Sequence, residues 1–128
     1  MMRHLLRFLA LAAMLVSGIG YAMAEQNFDR ARFDALQKDG APTLVMVHAS
    51  WCPTCRAQAP VISDLLKKPE LSRITALRVD FDDQRDVVKS FHVTQQSTLI
   101  VFKGGKEVGR SVGDTHRDSI EALLRRAL

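Results

Sequence analysis

The residues of this chain best suited to covalent chemistry are Cys52 and Cys55, its only two cysteines, separated by Pro53 and Thr54. At this spacing a second sulfur can displace whatever the first has captured, which is the geometry of thiol-disulfide exchange. A structural disulfide across so short a loop would do little to restrain the unfolded chain. A structural zinc site normally takes four ligands, and no second cysteine pair is present. Cys52 lies directly before Pro53, a residue favoured at the first helical position. Its sulfur is therefore expected at the positive end of a helix, beside unpaired backbone N–H groups, with a lowered pKa. Cys52 is expected to be the nucleophile. Cys55, one turn further on and expected to be more buried, is suited to be the resolving thiol.

These sulfurs must be held by elements that the hydrophobic pattern marks out. Phe28, Ala31, Ala35 and Leu36 recur at roughly helical spacing behind the candidate caps Asn27 and Asp29, and Gly40 supplies a stop. Thr43 to Ala49 is a Val-rich run after Pro42 that reads as a buried central strand. A second helix is expected from Pro53 to about Lys68, buried through Val61, Ile62, Leu65 and Leu66, kinked at Pro60 and ended by Pro69. Thr75 to Asp80 reads as a strand and Asp83 to Phe91 as a short helix. Thr98 to Phe102 reads as a strand turned back by Gly104-Gly105 onto Glu107 to Val112, and Thr115 to Leu128 as a closing helix. Such an order predicts an α/β domain, a mixed central sheet with helices on both faces. Its site belongs at the carboxyl ends of the strands, where Trp51-Cys52 lies.

Composition and charge narrow the setting. At 128 residues, 47% apolar and 25% charged, the chain has room for one globular domain. The basic head of Arg3, His4 and Arg7, the apolar run from Phe8 to Val16 and the small residues of Ala22-Met23-Ala24 read as a signal peptide over residues 1–24, cleaved after Ala24. The domain then spans 25–128, and a periplasmic or secreted location is expected. The rival reading is an uncleaved membrane anchor, since Leu5 to Ala24 is about long enough to span a bilayer. Without Arg3 and Arg7 the chain keeps 16 of its 18 basic residues against 14 acidic ones, a net charge of +2 that gives no reason to expect nucleic acid.

Trp51-Cys52-Pro53-Thr54-Cys55 resembles the active-site motif of the thioredoxin superfamily, with Pro60 where that family kinks its second helix. Val79-Asp80, the run Thr98 to Gly105 and Val112-Gly113 follow in the family's order, so the resemblance covers nearly everything from Phe28 to Leu128. It implies a thioredoxin-like fold, disulfide exchange with protein substrates and a redox partner, and no cofactor beyond a Cys52–Cys55 disulfide. A monomer is expected. Reduction of partner disulfides is favoured over oxidation, because the chain follows small thioredoxins and lacks the helical insertion of dedicated oxidases. Trp51, Pro53, Thr54, Ser97 and Thr98 would form the active-site rim and substrate groove.

Two departures from the family pattern bear on chemistry. Ser97 stands where the family has a cis-proline facing the cysteines. A non-proline cis bond costs about 2.5–4 kcal/mol, so the Gln96-Ser97 peptide is expected to be trans. The loop would then dock peptide through its backbone, or Ser97 would hydrogen-bond a cysteine sulfur or admit a metal. Met46 replaces the family's buried acid, and Ala76 its nearby lysine. His48 shares a strand face with Met46 and either takes over proton transfer or fills the family's aromatic slot. His92, His116 and the group Asp80, Asp82, Asp83 and Asp86 read as structural or surface residues. Two other readings compete: a module using the cysteine pair, with or without His48, to handle copper or zinc, and a chaperone that binds through the groove without redox chemistry.

Overall fold

Thr75 to Asp80 pairs with the Val-rich run before the cysteines along its whole length, and this parallel ladder is the centre of the fold. The computed structural model describes residues 25–128; the proposed leader, residues 1–24, lies outside the described residues. The elements are β1 (Gln26–Asn27), α1 (Arg30–Lys38), β2 (Thr43–His48), α2 (Pro53–Leu65), β3 (Thr75–Asp80), α3 (Arg85–Ser90), β4 (Thr98–Lys103), β5 (Lys106–Val112) and α4 (Arg117–Arg125). The five strands form one mixed sheet in the order β1-β3-β2-β4-β5. β3 runs parallel to β1 and β2, while β4 runs antiparallel to β2 and β5.

Side-chain alternation splits the core in two. Leu44, Met46, Ala76, Leu99 and Val101 face Ile62 and Leu65 of α2 and Ile120, Leu123 and Leu124 of α4. Val45, Val47, Leu77, Val79, Ile100 and Phe102 face Phe33 and Leu36 of α1 and Val88 of α3. Because the three central strands are covered on both sides, they read as continuous apolar runs rather than as alternating ones. No helix among the described residues is long and apolar enough to cross a membrane.

Local signals explain the element ends. Asp29 caps α1 by accepting the Arg32 N–H at 2.8 Å, and Gly40, at φ +66°, supplies the left-handed residue that lets the Ala41 N–H close back on Leu36. Gly104 and Gly105, at φ +58° and +78°, turn β4 into β5. α2 continues through Pro60, then tightens after Leu65, where the Lys67 and Lys68 N–H groups bond three residues back. The helix therefore ends short of the expected Lys68. α1 also turns a different face inward than its alanines suggest: Phe33 and Leu36 are buried, whereas Ala31 and Ala35 are exposed and Phe28 packs ahead of the helix. The large rings decide this, since Phe33 meets Phe91 and Phe102 edge-on at centroid distances of 5.2 and 5.1 Å.

Leu99 is fully buried on β4 between the central sheet and the α2/α4 layer. Leu99→Ala should lower the unfolding free energy by about 2–5 kcal/mol in denaturant titration. A loss below about 1 kcal/mol would mean that this layer collapses onto the gap and is not tightly packed.

Candidate active site

β2 ends at His48 and the chain turns at once into α2, with the Cys52 N–H bonded to the Ala49 carbonyl at 3.2 Å. Cys52 is the N-cap of α2, in extended conformation at φ −84° and ψ 111°, with Pro53 beginning the helix. Its sulfur does what a serine or aspartate oxygen does at other helix starts: it accepts the backbone N–H of Cys55, at 3.1 Å. Both thiols are free.

Ser97 closes the site from the opposite side. Its hydroxyl lies 3.2 Å from the Cys52 sulfur and 2.9 Å from the Cys55 sulfur. The Gln96-Ser97 peptide is trans, and Ser97 adopts φ +59°, a left-handed conformation unusual for a residue with a side chain. Its N–H donates to the Val47 carbonyl at 2.8 Å, and its carbonyl accepts from the Gly113 N–H at 3.0 Å and the Gln58 amide at 3.4 Å. The backbone N–H and C=O of Ser97 are thus both engaged within the chain.

Burial opposes ionisation of Cys52, but the neighbouring Cys55 and Ser97 side chains and the backbone N–H groups of Cys55 and Thr54 outweigh it and hold this thiol below its ordinary range. Burial pushes the Cys55 thiol up, as does the adjacent Cys52 side chain, against opposing contributions from Ser97 and the Ala49 backbone. The expected difference in exposure is absent, since each cysteine is 2% exposed. Hydrogen bonding and the deeper packing of Cys55, rather than surface exposure, distinguish the two sulfurs.

The other residues expected at the site divide. Trp51 is 55% exposed, and its indole N–H donates to Asp82 at 2.7 Å, so the ring is held at the rim by a loop beyond β3. Asp80 shapes that loop by accepting the N–H groups of Asp82 and Asp83. Pro53 is exposed and Thr54 half-buried in the first turn of α2. Thr98 is buried, and its hydroxyl donates to the Gln95 carbonyl rather than opening into a groove. His48 hydrogen-bonds neither sulfur and instead lines a cavity of about 490 Å³ with Ser50, Arg78 and Asp80. Among the described residues, no three His, Cys, Asp or Glu side chains converge to hold a metal ion.

Sequence reading missed Gln58 and Asp82. Gln58 is 3% exposed, and its amide donates to the carbonyls of both Ser97 and Asp114. It sits at helical spacing from Cys55, Ile62 and Leu65, on the inward stripe of α2. An amide on such a stripe needs buried partners, and that signal could have found it. Asp82 had no comparable mark among its acidic neighbours.

The family model described as Thioredoxin matches residues 21–126. The chain is 40% identical over 81 residues to a thioredoxin of Chlamydia trachomatis, covering 63% of this chain and 78% of that protein. It is 30% identical over 102 residues to a thioredoxin of Alicyclobacillus acidocaldarius, covering 80% and 91%. Among solved structures, Trxlp from Edwardsiella tarda superposes with a TM-score of 0.77 at 37% identity, covering 79% of this chain and 98% of that one. Thioredoxin of Fasciola hepatica gives 0.70 at 26% identity, covering 81% and 99%.

Ultraviolet thiolate absorbance of the reduced protein should rise with pH in two steps, one below and one above the free-cysteine value of about 8.5. The lower step should persist in Cys55→Ser, because it belongs to Cys52. A single step at the free-cysteine value would contradict the hydrogen-bonding pattern described here.

Proposed function

The chain belongs to the thioredoxin family of thiol-disulfide oxidoreductases, and we propose that it reduces disulfides of protein substrates outside the cytoplasm, with Cys52 attacking and Cys55 resolving. The observation that carries the assignment of roles is the Cys52 sulfur at the start of α2, accepting the Cys55 N–H at 3.1 Å. There the helix dipole and an unpaired donor both favour negative charge. The Cys52 thiolate attacks one sulfur of the substrate disulfide, forming a mixed disulfide and releasing one substrate thiolate. Cys55 loses its proton, which ends on that released thiolate. Its sulfur then attacks Cys52, forming the Cys52–Cys55 disulfide and expelling the second substrate thiolate. A redox partner protein restores the dithiol, and no bound cofactor takes part.

Trp51, directly before Cys52, and Val112, paired with Thr98 beside Ser97, are 55% and 52% exposed and supply apolar contact for a substrate segment. With the backbone of Ser97 already engaged, Gln96 is the neighbouring residue left to meet the substrate main chain. Reduction as the working direction is supported by the likeness to small thioredoxins along nearly the whole domain. Export is supported by the basic head, apolar run and small-residue site of residues 1–24, and implies a periplasmic or secreted location for a mature chain that begins at Glu25; we propose that this chain acts as a monomer. Retention at the membrane would follow only from an uncleaved leader.

The mature chain should reduce insulin disulfides with dithiothreitol as the electron source, and chelators should leave the rate unchanged. Cys52→Ser should abolish turnover, while Cys55→Ser should trap a mixed disulfide with substrate. Turnover surviving Cys52→Ser, or thiols that are inert until a metal is removed, would overturn the proposal.

A further inference from the structure

We infer that the Ser97 hydroxyl is a catalytic hydrogen-bond switch, donating to Cys52 in the waiting dithiol and to Cys55 once Cys52 is tied up in the mixed disulfide. The inference rests on the exchange roles proposed above and adds a residue that those roles do not require. A hydroxyl carries one proton and two lone pairs, so between two sulfurs it donates to one and accepts from the other. At 3.2 Å from Cys52 and 2.9 Å from Cys55 it reaches both without moving its backbone. In the dithiol, the Cys55 S–H donates to the oxygen and the O–H donates to the Cys52 thiolate. The charge sits on Cys52 because that sulfur also accepts the Cys55 backbone N–H.

Attack on a substrate disulfide makes the Cys52 sulfur neutral and a poor acceptor. The hydroxyl then turns about its Cα–Cβ and Cβ–O bonds and donates to Cys55, whose proton passes to the released substrate thiolate. Cys55 attacks the mixed disulfide, the bond between Cys52 and the substrate breaks, and its electron pair leaves on the second substrate sulfur. Protons and electrons balance with no added oxidant or base.

Three features show that the site is built around this hydroxyl. Ser97, Cys52 and Cys55 are each 2% exposed, so water does not readily substitute for it. Among the described residues, no carboxylate, imidazole or amine hydrogen-bonds either sulfur. And Ser97 is held at φ +59°, where a left-handed L residue is disfavoured by roughly 1–2 kcal/mol relative to glycine, by bonds to Val47, Gly113 and Gln58. Backbone geometry alone would favour glycine here, so the side chain has to justify itself by what it touches. Both of its hydrogen-bonding contacts are the reacting sulfurs.

The test is Ser97→Gly, which suits the backbone and removes only the hydroxyl. It should unfold no more easily than the parent chain, while the pKa of Cys52 should rise by about one unit, as loss of a hydrogen bond to a charged group implies. In rapid-quench single turnovers, the mixed disulfide should accumulate because its resolution slows about tenfold. The dithiol should also become more reducing, by ~30 mV for each tenfold change in equilibrium against glutathione, because the reduced form loses the bond that the disulfide lacks. A folded variant with parental Cys52 pKa and parental resolution rate would overturn the switch. If Ser97→Gly does not fold, Ser97→Ala is read by the same two measurements. Insulin reduction by the parent chain separates the failures: no reduction sinks the exchange reading itself, whereas reduction with an indifferent Ser97→Gly sinks only the switch.

Discussion

The hydrogen bond from the Cys55 N–H to the Cys52 sulfur is the interaction on which the site depends. It is at once a helix cap and a means of stabilising a thiolate, so the start of α2 and the acidity of the nucleophile are one structural fact. Its geometry requires the chain to leave β2 and enter a helix within four residues. Proline at the first helical position suits that demand, because its ring presets φ and the N–H it lacks would have had no partner. The second thiol follows from the same turn: once Cys52 caps the helix, the residue whose N–H it accepts carries the sulfur that will displace its adduct.

Much of this was legible in the sequence. β3 was found residue for residue, and β2 and β4 to within one residue, because strands covered on both faces leave uninterrupted apolar runs that glycine and proline bracket. The Cys-x-x-Cys pair announced its chemistry together with Trp51 before it, Pro53 within it and the strand pattern after it, and the trans peptide before Ser97 followed from the cost of the alternative. Other features were not legible. β1 is a two-residue strand that exists only because β3 offers it an edge. The inward face of α1 is chosen by rings at the end of α3 and on β4 that no local periodicity reveals. The direction of His48 could not be read beyond its strand face, since alternation fixes a side and not a neighbour. The Trp51–Asp82 bond joins residues 31 positions apart, and one aspartate in an acidic run looks like the next.

Met46 and Ser97 together give this member of the family a distinctive interior. An apolar thioether occupies the strand position where the family buries an acid, and a neutral hydroxyl lies directly between the sulfurs. A buried carboxylate must be desolvated and strongly shifts the titration of its neighbours, whereas a hydroxyl is always neutral and can change partner by rotating. The sulfur environment here is therefore set by directed hydrogen bonds and by the helix terminus, with no second buried charge to balance.

The Cys52 N–H is bonded to Ala49, immediately beyond β2, and the Ser97 N–H to Val47, within it, so both jaws of the site hang from the same few residues of the central strand. Twisting or breathing of the sheet carries them as a common-mode displacement, which cancels in the distances between sulfur and oxygen. The spacing between sulfur and oxygen is thereby referred to one short stretch of backbone rather than to the sheet as a whole.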